Sequence, residues 1–331
     1  MYAEGAGLWR TTDAFAADRR RWGMAFDPRQ PFLRAEALDN GLTDKVLRGP
    51  GYRQLFRNVL VSSTTPATVL QRVRGVVRLQ HESAWASHAS AARVKGAPVP
   101  TIADEHVSVP HQKLRRHHRG IRCHVGDPAG VVVERGVRVS GDVPMFIELA
   151  GQLGLVDLVV VGDWLVRRRG LTPEWLVEAC RNSRHRDARK ALAAAGFVRR
   201  DVDSPMETRL RMLLVLAGLP EPRINLTIRD EAGNVIRKYD LSYPEVRVAA
   251  EYNGKIHVEV LEHWEEDLER RADIDEDDWR LIVVIGSGIY KDPLRTLRRV
   301  HRVLLARGMP GVPLRLSDDW RPHFPGFSDA A

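Results

Sequence analysis

Three side chains pose the chemical question in this sequence. They are Asp240, Glu251 and His257, within the stretch RKYDLSYPEVRVAAEYNGKIH at 237–257. The two acids lie in separate alternating apolar segments divided by Pro244-Glu245. The histidine follows the second segment after an Asn253-Gly254 break. Two carboxylates, completed by water and phosphate oxygens, suit Mg2+ or Mn2+, hard ions that take oxygen ligands. Such an ion orients water, polarises a phosphodiester and stabilises the leaving oxygen, and a nearby imidazole serves as general acid or base. The plainer reading is a polar sheet edge. Strand alternation groups Asp240 with Lys238 and Ser242, and Glu251 with Ala249, opposite Tyr239, Leu241, Tyr243, Val248, Ala250 and Tyr252. A tight turn at Pro244-Glu245 does not by itself set Asp240 opposite Glu251. His257, Glu259 and His263 lack the H-E-x-x-H spacing of a helical zinc motif.

The elements that must position these groups are legible around them. Ser204-Pro205-Met206-Glu207 opens an apolar helix running through Leu216, with Ser204 as N-cap and Glu207 at N3 of a capping box. That role explains Glu207 without catalysis. Alternating segments follow at 223–230, 235–243 and 246–252, with turns at 231–234 and 244–245. A charged helix is expected over 264–277, a buried strand over 280–286 and an amphipathic helix over 293–307. The order is α-β-β-β-α-β-α. The Pro-rich tail from Gly311 is expected to be poorly ordered at its end.

Ahead of this lie regions of different character. Residues 1–30 read as an Arg-rich leading helix or arm. Two short helices, broken at Asn40-Gly41 and stopped at Gly49-Pro50-Gly51, precede a basic apolar strand. That is the outline of a small winged helix-turn-helix, with Lys45, Arg48, Arg53 and Arg57 as phosphate-contacting candidates. A bland helical subdomain has the same outline. Residues 66–95 read as one Ala-rich helix closed by Gly96, with His81, Trp85 and His88 near one face; a core tryptophan with histidines at its margin explains them. The run HQKLRRHHRGIRCH at 111–124 carries Lys113, Arg115, Arg116 and Arg119, which suit phosphates or a solvated loop. Its histidines and Cys123 show no recognised metal-ligand spacing. Residues 145–200 read as a helix, a buried apolar run and further helices, the first capped by Thr172-Pro173-Glu174.

Composition bounds the rest. The chain has 331 residues, 44% hydrophobic and 28% charged, with no apolar run long enough for a bilayer and no signal-peptide order at the N-terminus, so a cytoplasmic location is expected. Two cysteines cannot build a disulfide framework. The net charge of +8 is uneven: residues 1–203 hold 32 Lys and Arg against 21 Asp and Glu, and residues 204–331 hold 19 against 22. The basic front favours a polyanion partner.

The runs SPMETRLRMLLVLAGLPEP, YDLSYPEVRVAAEYNGKIH and WEEDLERRADIDEDDWRLIVVI resemble a bacterial endonuclease-like domain family related to the very-short-patch mismatch-repair endonucleases and the PD-(D/E)XK nuclease fold. The resemblance implies Asp240 and Glu251 as metal-binding carboxylates, His257 as an active-site histidine and Glu207 as an auxiliary acid. The usual lysine of the E-x-K element is Asn253 here, and Val283 stands where relatives often carry a basic residue. FLRAEALDNGLTDKVLRG, YRQLFRNVLVS and DLVVVGDWLVRRRGLTPEWL resemble AbiEi-like type IV toxin–antitoxin antitoxins. The expected fold is α/β (α+β): a winged-helix-like DNA-binding region at 1–65, a mixed α/β middle domain at 66–200, a restriction-endonuclease-like αβββαβα domain at 201–310 and a tail at 311–331. The expected function is Mg2+- or Mn2+-dependent hydrolysis of DNA, rather than RNA, with no membrane association. The alternative is a non-catalytic antitoxin-like regulator with a degenerate nuclease fold and a toxin partner.

Overall fold

The structure, a computed structural model, describes residues 26–254 and 278–326. The fold is mixed α/β, and the chain divides into two units, residues 1–149 and 150–331. The Arg-rich arm at 1–25, the expected helix at 264–277, and Lys255 and His257 lie outside the described residues.

In the first unit, β1 (Phe32–Leu33), α1 (Arg34–Asp39), α2 (Asp44–Leu47), β2 (Tyr52–Phe56) and β3 (Val59–Ser62) form a small subdomain whose strands order β1-β3-β2. Thr43 caps α2 by accepting the Val46 N–H at 3.4 Å, and Gly41 takes the left-handed turn between the helices at φ +82°. Phe32, Ala37, Leu47 and Leu60 are its core. The basic apolar strand expected here is a hairpin, because Asn58 reverses the chain at φ +66°.

The single helix expected over 66–95 is not formed. The chain makes α3 (Val69–Leu79), a two-residue strand β4 (Trp85–Ala86) and α4 (His88–Lys95). Ala86 pairs with strands on both sides and Trp85 with one, and Trp85 is 1% exposed. Ladder bonds and burial of the indole outweigh the helical preference of the alanines, since tertiary contacts override intrinsic propensity. The strand is the centre of a sheet ordered β6-β5-β4-β8-β7, with β5 (Glu105–Val109), β6 (Ile121–Val125), β7 (Val131–Glu134) and β8 (Val137–Ser140), closed by α5 (Asp142–Leu149). Phe56 and Val59 of the small subdomain share one core with Val76, Leu79, Val107, Val109, Ile121 and Cys123.

The second unit begins with α6 (Leu155–Arg169), α7 (Pro173–Asn182) and α8 (Ala188–Ala195). The buried apolar run lies inside α6. A buried ion pair ties α6 to the next helix, α9 (Pro205–Leu216): Asp163 Oδ2 lies 3.1 Å from an Arg211 nitrogen, with side-chain exposures of 2% and 0%. Asp163 also accepts from Thr208 Oγ1 at 2.8 Å and from the Arg199 N–H at 2.8 Å. Burial pushes its carboxyl up, while Arg211 pulls it back toward the charged form.

A four-stranded sheet follows, ordered β12-β11-β10-β9, from β9 (Arg223–Arg229), β10 (Val235–Tyr243), β11 (Val248–Tyr252) and β12 (Arg280–Val284). The first three are antiparallel neighbours, and β12 runs parallel to β11. The chain between β11 and β12 is long enough for the crossover that a parallel pair requires. Then come α10 (Gly286–Tyr290) and α11 (Pro293–Ala306). The tail packs through at least Phe324: Trp320 is 3% and Phe324 4% exposed, and the Ser317 N–H donates to the Ala217 carbonyl at 2.9 Å.

Candidate functional site

The β10–β11 ladder pairs Tyr243 with Val248, Ser242 with Ala249 and Leu241 with Ala250. Asp240 follows next on β10 and Glu251 next on β11. Here the Asp240 side chain itself bonds the facing strand: Oδ2 accepts the Tyr252 N–H at 3.0 Å. Both acids are half-buried. Around them the strands are sealed by Tyr239, Leu241, Tyr243, Val248 and Ala250, each at most 1% exposed. The pair thus sits where a dry sheet interior gives way to solvent, a position able to desolvate one side of a ligand. Glu251 pairs across the parallel ladder with Val283, whose carbonyl accepts from Arg299 of α11 at 3.1 Å. Burial and the nearby Arg280 and Arg295 charges hold Arg299 below the usual guanidinium range.

Asn253 extends the β11–β12 pairing, its N–H donating to the Val284 carbonyl at 2.9 Å. Gly254 lies against the Tyr252 ring, where an added Cβ would be 3.2 Å from a ring carbon. That close approach is a physical reason for glycine at this point.

Glu207 is 7% exposed. The Ser204 hydroxyl caps the helix by accepting the Glu207 N–H at 3.2 Å. The return bond differs from a capping box, because Glu207 Oε2 accepts from the Asp203 N–H at 2.9 Å, one residue before the N-cap. The same oxygen accepts from Asn225 Nδ2 at 3.0 Å. Its bonds are those of a clasp between the start of α9 and β9.

The basic candidates divide. Lys45, Arg48, Arg57, Lys113, Arg116 and Arg119 are exposed, whereas Arg53 and Arg115 are half-buried. Arg53 donates to the Thr65 carbonyl at 3.0 Å, Arg115 to Gln112 Oε1 at 3.4 Å, and Arg116 to the Leu79 carbonyl at 3.4 Å. Arg57 stands at the β2–β3 turn.

Residue spacing gave no warning of a second cluster, in the first unit. His88, His106 and His124 each offer a nitrogen within 4.8 Å of those of the other two, a group able to hold a metal ion. Three elements converge to make it. His88 is the first residue of α4, His106 the second of β5 and His124 the fourth of β6, and the parallel β5–β6 register puts the last two on one face. His106 Nδ1 and His124 Nε2 are 2.9 Å apart. The rings lie near-parallel, with centroids 3.9 Å apart for His88 and His124. Burial, then the Arg122 charge, pushes His106 down to about 4, so its ring is neutral at neutral pH. His88 holds a left-handed φ of +52°, which for a residue with a Cβ costs about 1–3 kcal/mol. Its N–H donates to Glu148 Oε2 at 2.8 Å. Glu148 also accepts from Ser140 Oγ at 2.9 Å, and burial pushes its carboxyl up to about 7.

No family model matches the chain. It is similar to two proteins of Mycobacterium tuberculosis, "Uncharacterized protein MT2308" of strain CDC 1551 / Oshkosh and "Uncharacterized protein Rv2248" of strain ATCC 25618 / H37Rv. Each is 29% identical over 110 residues, 33% of this chain. The match covers 40% of each relative's own length.

Among the described residues, no helix is long and apolar enough to cross a membrane.

Proposed function

We propose that this protein binds DNA through its basic front and cleaves it with a metal-dependent, restriction-endonuclease-like domain in its second unit. The observation that carries this reading is the bond from the Tyr252 N–H to Asp240 Oδ2 at 3.0 Å, which ties the Asp240 carboxylate to β11 at the residue next to Glu251. The order α9, antiparallel β9–β10–β11 and parallel β12 followed by α11 also supports it. Two carboxylates are the hard oxygen donors that Mg2+ or Mn2+ takes, so Asp240 and Glu251 would hold the ion. When bound, it would supply Lewis-acid activation of the phosphodiester.

The chain's own groups have narrower tasks. The Tyr252 N–H fixes the direction of the Asp240 carboxylate. The packed strand interior excludes water on one side. In this reading His257 supplies the general acid or base, and Glu207 supports the site by positioning β9. The winged-helix-like subdomain contacts phosphates through Lys45, Arg48 and Arg57, and the 111–124 run through Lys113, Arg116 and Arg119.

A second reading is favoured by Asn253 and Val283, neutral where a nuclease of this type carries basic groups. It is a non-catalytic, antitoxin-like DNA-binding regulator, with a toxin as partner.

Cleavage of supercoiled plasmid separates the two. The nuclease reading expects nicking that requires Mg2+ or Mn2+ and is lost in both Asp240→Asn and Glu251→Gln; the asparagine keeps an acceptor for the Tyr252 N–H, so the fold is retained. DNA binding with no cleavage, or cleavage unchanged in both variants, would leave only the regulator.

A further inference from the structure

We infer that His88, His106 and His124 form a site for a zinc-class transition-metal ion in the first unit, separate from the carboxylate pair and independent of the nuclease reading. Imidazole nitrogens are the donors Zn2+ accepts, while Mg2+ prefers oxygen. The three residues come from a helix start and two adjacent parallel strands, so a shared ion would fasten α4 to the sheet.

The geometry lies close to what an ion requires. Two imidazole ligands at a tetrahedral zinc, each at about 2.0–2.1 Å, sit about 3.3 Å apart. His106 Nδ1 and His124 Nε2 are now 2.9 Å apart, so loading requires a separation of a few tenths of an ångström and a turn of the stacked rings. The third donor lies within 4.8 Å of both. His88 Nδ1 is engaged by Ser87 Oγ at 3.0 Å, with Glu148 Oε2 at 3.7 Å. A carboxylate and a hydroxyl of this kind are the outer shell that orients a ligating imidazole. His88 is also held in a left-handed conformation at the helix start, in place of a residue that would adopt it without strain. Three histidines leave the fourth tetrahedral position to water or an exogenous ligand, so the site is an open one.

The test uses the full chain without an affinity tag. After chelator treatment and dialysis, Zn2+ is titrated calorimetrically with excess Mg2+ present, and the Zn2+-loaded wild type is examined by X-ray absorption. The expected result is one Zn2+ per chain, with a first shell of three imidazole nitrogens at about 2.0 Å. Affinity should fall at least roughly 100-fold in His106→Gln and His124→Gln, since even losses in the outer shell cost about 10–100-fold, and should be unchanged in His81→Ala. Circular dichroism establishes that the variants fold, and the wild-type absorption data decide the matter if they do not. No stoichiometric Zn2+, a first shell of carboxylate or thiolate, displacement by Mg2+, or wild-type affinity in both glutamine variants would each overturn the assignment.

Discussion

Glu207 gives the sharpest test of whether a residue in the second unit is structural or catalytic. Its side chain is 7% exposed, and one oxygen accepts from both the Asp203 N–H and the Asn225 amide. Hydrogen bonds to a charged acceptor contribute about 1.5–3 kcal/mol each, and an acid in the first turn of a helix adds about 0.3–1 kcal/mol. The two bonds share an oxygen, so the lower end of the range applies, and Glu207→Ala should destabilise the second unit by about 3–4 kcal/mol. Glu207→Gln keeps a neutral acceptor and should recover about half, because neutral bonds are roughly half as strong. With a urea slope of about 2–3 kcal/mol/M, the midpoint should drop by about 1–2 M for Ala and about half that for Gln. The assay is urea unfolding followed by hydrogen exchange of the α9 amides, beside plasmid cleavage per folded molecule. A midpoint shift under about 0.3 M for Ala, with cleavage abolished in both variants, would refute the clasp and make Glu207 a catalytic acid.

Three further outcomes are expected. Asp163→Ala removes one of two carboxylate partners of Arg211, 0% exposed, which keeps Glu221 at 3.1 Å and the Phe197 carbonyl at 2.9 Å; the loss should cost about 1.5–3 kcal/mol, lowering the thermal midpoint by roughly 3–12 °C, and Asp163→Leu combined with Arg211→Met should recover most of it. If the exposed basic residues contact phosphates, Arg57→Ala should reduce the slope of log K against log salt by about 0.9, whereas Arg53→Ala, whose guanidinium holds the Thr65 carbonyl, should lower stability with little change in slope. Cys180 is buried and its thiol is pushed up to about 11, so at pH 8 about one molecule in a thousand carries the thiolate; alkylation should be negligible in the native chain and complete in urea.

What could be read from local sequence was what local physics controls. Thr43, Thr172 and Ser204 announce their helix starts, and Gly96 closes its helix at φ +82°, because caps and left-handed turns depend on a few adjacent residues. The three strands from 223 to 252 were legible from alternation and turn residues. The run over 66–95 was not, because Trp85 and Ala86 gain more from ladder partners far along the chain than from a continued helix. The bond from Asp240 to the strand that carries Glu251 likewise needed the register, which a 3-10 turn at Pro244–Val246 and a left-handed Arg247 set in three dimensions.

The sequence by itself determined that two carboxylates occur on neighbouring strands of a basic-fronted α/β chain. Only the tertiary structure decided that the Asp240 carboxylate bonds the neighbouring strand at Tyr252, that Glu207 clasps a strand, and that His88, His106 and His124, separated by 18 residues at each step, converge on one small volume. The reason is the same in each case. Helical and strand periods constrain residues a few positions apart, whereas sheet register and helix docking, which bring distant residues together, are settled by burial summed over the whole unit.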